Sequence, residues 1–71
     1  MQYIFSMGDI GAAIRARRRE LGYTQTELAD RVGVGVTFLS QVENGKETAE
    51  AGKILHVLQM LGMNVYLEKR R

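Results

Sequence analysis

A chain of 71 residues without cysteine makes one domain, near the size at which a single core is only marginally sufficient, and it excludes disulfides and thiolate metal sites. Ten basic and eight acidic residues leave a net charge of +2, too little to name a nucleic-acid partner. No apolar run approaches the ~20 residues that span a bilayer, and the opening residues 1–5 are too short for a secretory h-region, so no membrane partner and a reducing cytoplasm are expected.

The charge is nevertheless uneven. Arg15, Arg17, Arg18 and Arg19 cluster tightly, and Lys69, Arg70 and Arg71 come last. Tyr3, Ile4 and Phe5 form a short apolar arm, after which Ser6 can cap a helix with Asp9 at N3. Phe5 and Ile10 have the spacing of a hydrophobic staple. The first helix is expected over about Met7 to Leu21, burying Ile10, Ala13, Ile14 and Leu21 and ending at Gly22. Arg17 and Arg18 lie near that buried stripe, whereas Arg15 and Arg19 read as solvated.

The stretch Thr24–Lys46, T-Q-T-E-L-A-D-R-V-G-V-G-V-T-F-L-S-Q-V-E-N-G-K, organises the rest. Thr24 with Glu27 three residues on has the form of a capping box. Leu28, Ala29 and Val32 make an inward stripe, and Gly33 stops this second helix. A third helix follows over about Gly35 to Asn44 and stops at Gly45. Two helices around a Gly-containing turn are a helix-turn-helix, here with its core at residues 24–45, and the second of the pair enters the DNA major groove. At roughly 100° per residue, Phe38, Leu39, Val42 and Glu43 share one half of that helix. Val36, Thr37, Ser40, Gln41 and Asn44 share the other, which is small, polar and uncharged and so suits base edges. The plainer account is an ordinary surface of a helical bundle.

Thr48 is the expected cap of a fourth helix whose stripe is Ala51, Ile54, Leu55, Leu58 and Leu61 and whose end is Gly62. His56, the only histidine, falls off that stripe and has no second ligand at metal spacing, so it reads as a surface residue. Residues 63–68 then alternate with a strand period. A lone strand leaves its backbone groups unpaired, so it must meet either the Tyr3–Phe5 arm or the same strand of a second subunit. A frayed tail is the alternative. Two-fold dimers, the commonest oligomers, favour the second subunit.

The run T-Q-x-E-L-A-x-x-V-G-V with F-L-S-Q-V-E-N-G-K resembles the phage-repressor type of helix-turn-helix, the Cro/C1 or XRE class, over about 60 of the 71 residues. Within that class, the tail L-G-M-N-V-Y-L is similar to small HipB-type antitoxins, which repress their own operon and pair with a HipA-type kinase toxin. The resemblance implies a mainly α fold: a compact four-helix lambda-repressor-like DNA-binding domain over residues 1–71. It also implies a short C-terminal β-strand that pairs across a homodimer, with Met63, Val65, Tyr66 and Leu67 in the interface. It implies a structural ion pair between Arg18 and Glu43, because phage-repressor domains pair the equivalent residues. It places Gln25 against a phosphate, Lys46 and the backbone near Asn44 and Gly45 against the DNA on the other side, and Val36, Thr37 and Gln41 at base-reading positions. A valine has only a thymine methyl as its natural partner, and Gln41 can pair bidentately with adenine. Many relatives carry Gln or Ser at the position of Val36, so no relative's operator sequence can be transferred to this chain.

The leading expectation is therefore a sequence-specific, dimeric autorepressor of a palindromic double-stranded operator that also serves as the antitoxin of a HipBA-type operon. Its alternatives are a stand-alone phage-type repressor and a protein-interaction module. The cationic positions that flank the uncharged readers argue against the last. An enzyme is disfavoured because there is no cysteine, one histidine, no Gly-rich phosphate loop and no acid pair at catalytic spacing, and neither cofactor nor metal is expected.

Overall fold

The computed structural model describes residues 2–70, so Arg71 of the terminal basic cluster lies outside the described residues. Four helices follow one another: α1 Met7–Glu20, α2 Gln25–Val32, α3 Val36–Glu43 and α4 Ala51–Met60. Local chemistry sets the starts of the first two. Ser6 Oγ accepts the Asp9 N–H at 3.1 Å, and the Asp9 carboxylate accepts the Phe5 N–H at 2.9 Å. At α2 the capping box is complete, with Glu27 N–H donating to Thr24 Oγ1 at 3.1 Å and Thr24 N–H donating to Glu27 Oε1 at 3.0 Å. The bond from the Thr24 backbone, then that from its hydroxyl, holds the Glu27 carboxyl below the usual carboxylate range.

The turn between α2 and α3 rests on Gly33, whose φ of 84° lies in the left-handed region that a Cβ makes costly. The N–H groups of Gly33 and Val34 both reach Ala29 O, at 2.9 and 3.0 Å, which ends α2 abruptly and frees the chain to start α3 at Val36.

The core joins Ile14 of α1, Leu28, Ala29 and Val32 of α2, Leu39 and Val42 of α3, and Ile54, Val57 and Leu58 of α4 with Leu61. Helix α3 packs against both α1 and α2, while α4 packs on α2. Between α1 and α3 the backbones themselves meet. A Cβ on Gly11 would stand 2.2 Å from Val42 O and 2.8 Å from Glu43 O, so only glycine permits this crossing.

Several expectations change. Leu21 is the C-cap of α1 and is exposed, because the helix ends one residue earlier than its apolar spacing suggested. Phe5 is 77 % exposed and stacks on Tyr3 with ring centroids 6.3 Å apart, so it does not form the buried half of a staple with Ile10. Thr48 does not cap α4. The helix begins at Ala51 after Glu50, which makes no side-chain cap bond, because Ala49 first packs against the core. The buried stripe of α4 is Ile54, Val57, Leu58 and Leu61, and Leu55 faces outward at 54 % exposure. Both stripes have helical spacing, and α4 is apolar on so many sides that its packing on the rest of the core, α2 included, selects between them.

The expected strand at 63–68 does not form within the chain, and no strand occurs among the described residues. A ladder needs a second row of N–H and C=O groups, and the Tyr3–Phe5 arm does not supply one. Met63 turns back instead, packing against its own core with its N–H on Leu58 O at 3.0 Å.

Candidate nucleic-acid interface

Helix α3 has two unlike faces. Leu39, Val42 and Glu43 are buried and Phe38 is half-buried under the Lys53 ammonium, 5.4 Å from the ring centre. Val36, Thr37, Gln41 and Asn44 are exposed on the other side, and Ser40 is half-buried. Gly35 precedes the helix without a side-chain cap, so no side chain covers the first N–H groups of α3. Gln41 is oriented by Lys46, whose Nζ donates to Gln41 Oε1 at 3.2 Å. The Lys46 backbone N–H donates to Gln41 O at 3.0 Å, which ties the turn after α3 to the helix.

Beneath this face lies a polar hub. Glu43 has no accessible side-chain surface and takes Arg18 in a fork: Nε donates to Oε2 at 2.7 Å and Nη2 donates to Oε1 at 2.9 Å. Arg18 Nη1 donates to Tyr23 O at 2.9 Å, so α1, the α1–α2 turn and α3 are joined through one guanidinium. Gln25 Nε2 adds a bond to Glu43 Oε1 at 3.1 Å, and Arg15 Nε adds another at 3.3 Å. Burial pushes the Glu43 carboxyl up. The hydrogen bonds from Arg18, Gln25 and Arg15, together with the Arg18 charge, outweigh burial and hold it below the usual range.

Of the residues singled out for DNA, Gln25 is half-buried against Glu43 and keeps its second amide N–H for another partner. Asn44 is exposed, yet its Nδ2 donates to Ser40 O at 2.9 Å and its Oδ1 accepts from Arg15 Nη2 at 3.2 Å. Val36, Thr37 and Gln41 are all exposed on α3. Met63 is separated from Val65, Tyr66 and Leu67, because it is half-buried while those three are exposed, Leu67 to 98 %.

Arg15 corrects the reading that it is simply solvated, since it bridges α1 to Glu43 and Asn44. The signal was available: Arg15 precedes Arg18 by three residues and therefore shares its face of α1. Arg19 is exposed, whereas Arg17 donates from Nε to Leu61 O at 3.0 Å and pairs with Glu20. Gly11 had no sequence flag beyond being a glycine inside a helix. His56 is exposed, with its Nε2 3.2 Å from Val32 O. Among the described residues no His, Asp and Glu cluster could hold a metal, and no helix is long and apolar enough to cross a membrane.

Comparison with known proteins agrees with this geometry. The family model HTH_3, described as a helix-turn-helix, matches residues 14–64. A Sinorhizobium fredii protein named as an uncharacterized HTH-type transcriptional regulator, y4mF, is 49 % identical over 57 residues, covering 80 % of this chain and 75 % of that protein. Antitoxin HipB of Escherichia coli is 29 % identical over 66 residues, covering 93 % of this chain and 75 % of the antitoxin. A solved chain from a HipA-HipB-O2-O3 complex superposes with a TM-score of 0.87 at 27 % identity, covering 100 % of both chains.

Proposed function

The chain belongs to the HTH_3 helix-turn-helix family, and from that premise we propose that it is a sequence-specific, DNA-binding transcriptional repressor, the antitoxin and autorepressor of a HipBA-type operon. The observation that carries the DNA-binding part is the division of α3. Its only carboxylate, Glu43, is sealed inward by Arg18, and its outward residues Val36, Thr37 and Gln41 bear no negative charge. That absence favours entry into a groove lined by phosphates, where a carboxylate without a cytosine amine to meet would be repelled.

In this reading Val36 contacts a thymine methyl, Gln41 pairs with adenine, and Thr37 and Ser40 complete the reading surface. Gln25 and Lys46, with the backbone at Asn44, set the register on phosphates. Two chains bind a palindrome with half-sites about one helical turn apart, or a multiple of it, and residues 63–68 pair antiparallel across the two-fold axis. The antitoxin role is supported by the likeness to HipB, one copy of which was solved together with HipA. A HipA-type kinase encoded beside this chain, and its capture by it in co-expression, is the expected outcome. Absence of such a gene leaves a stand-alone cytoplasmic repressor.

The DNA reading is tested by gel shift against a panel of single-base variants of the chain's own promoter. Gln41→Ala is expected to lose ~1–3 kcal/mol at one base position and relax the preference there. Unchanged preference at every position would remove Gln41 from the reading surface.

A further inference from the structure

The polar hub carries more positive charge than it neutralises. Two guanidiniums, Arg15 and Arg18, face the single carboxylate of Glu43. Arg18 is spent on that pairing: Nε and Nη2 lie on Glu43, Nη1 lies on Tyr23 O, and only 10 % of its side chain is accessible. Arg15 is the partner left over. Its Nε and Nη2 are held by Glu43 Oε1 and Asn44 Oδ1, its Nη1 edge is not engaged among the described residues, and 38 % of its side chain is accessible. A guanidinium fixed on one edge and open on the other is pre-organised for a second, anionic acceptor.

Its location specifies the anion. Arg15 Nε and Gln25 Nε2 share one oxygen of Glu43, and Arg15 Nη2 meets Asn44, which in turn bonds Ser40 O. The open edge therefore lies beside the end of α3 and the start of α2, where Gln25 and Asn44 are both neutral and each holds a partner in the chain, Gln25 with one amide N–H left over. We propose that Arg15 is a phosphate-binding residue of the DNA interface: anchored by Glu43 and Asn44, its guanidinium takes one backbone phosphate of duplex DNA beside α3. This rests on the DNA-binding reading and adds to it a cation from α1, outside the helix-turn-helix segment. It also gives Asn44 a role in orienting Arg15.

The test is the salt dependence of binding to a short mixed-sequence duplex, where phosphate contacts supply nearly all the affinity. Arg15→Gln should lower the slope of log affinity against log salt by about 0.9, so that over a fourfold rise in salt the wild type loses about 3.5-fold more affinity than the variant. Arg15→Lys keeps the charge while losing the fork, and should retain the wild-type slope; a residue that only positioned Asn44 would make Lys and Gln behave alike. In the wild-type protein, the Nε–H resonance of Arg15 should move on DNA titration while that of Arg18 stays, which holds the test open if Arg15→Gln folds poorly. Equal slopes for wild type and Arg15→Gln, or a stationary Arg15 resonance, overturn the assignment and leave the DNA-binding reading intact. A wild-type chain that binds no duplex at low salt overturns both.

Discussion

Two regions of this molecule are stabilised by opposite means. Where α1 crosses α3, the backbones meet at Gly11 and a polar hub around Glu43 joins three elements. No buried side-chain polar atom among the described residues lacks a partner. In the second region the Tyr3–Phe5 arm, Leu55 and the Val65–Leu67 tail expose apolar surface around a groove, without any regular pairing. The buried part of the first region is satisfied within one chain. The second has apolar side chains and backbone groups that a single chain leaves in water, which is the physical case for a second subunit there. A small chain without disulfides can divide these tasks, keeping the DNA-facing side rigid alone and leaving part of its stabilisation to assembly.

The contrast can be broken most forcefully at Glu43. Glu43→Ala leaves Arg18 buried without its acceptor and is expected to destabilise the fold by ~3–5 kcal/mol in chemical denaturation. The pair also predicts acid sensitivity. A carboxyl held below its unfolded value of about 4.3 contributes stability that is present above that pH and is lost as the pH falls through its lower folded value. Denaturation midpoints should therefore drop on that acid limb, and Glu43→Gln should flatten it. An acid limb as steep in Glu43→Gln as in the wild type would remove the hub from the account.

A smaller effect is expected from the glycine crossing. Gly11→Ala forces a Cβ into the Val42 carbonyl and should cost ~3 kcal/mol, toward the upper end of overpacking penalties. The same change at Gly52 in α4 meets nothing within 4 Å and should stabilise by ~0.5–1 kcal/mol. Thermal melts giving both variants the same sign would mean that the close approach at Gly11 is not what holds α1 on α3.

The mildest expected effect on the fold is at Val65. Val65→Pro lies in the exposed tail and should change the stability of the helical domain by no more than ~0.5 kcal/mol. It should also convert a dimer to a monomer and weaken operator binding, because proline removes a ladder donor. Sedimentation in which the wild-type dimer survives this change would move the subunit interface onto the helices, with Leu55 as the first residue to examine.

Part of the short-range chemistry was legible in the sequence alone, although the expected Thr48 cap and Phe5–Ile10 staple do not form. Ser6, Thr24 with Glu27, and Gly33 act within a few residues of themselves, so their caps and turn follow from residue type and spacing. The two faces of α3 follow in the same way, because a helix fixes which of its own residues share a side. What depended on a neighbouring element was not legible. Apolar residues surround so much of α4 that spacing could not choose Val57 over Leu55 for the core, and packing on the other helices made that choice. The spacing of Arg15 to Arg18 hinted at a shared face, but its partners Glu43 and Asn44, 28 and 29 residues away, came within hydrogen-bonding distance only in the fold. Gly11 mattered only once a carbonyl of α3 lay where its Cβ would be. Residues 63–68 have a strand's alternation, but a strand is made by its partner, and that is a property of the assembly rather than of the chain.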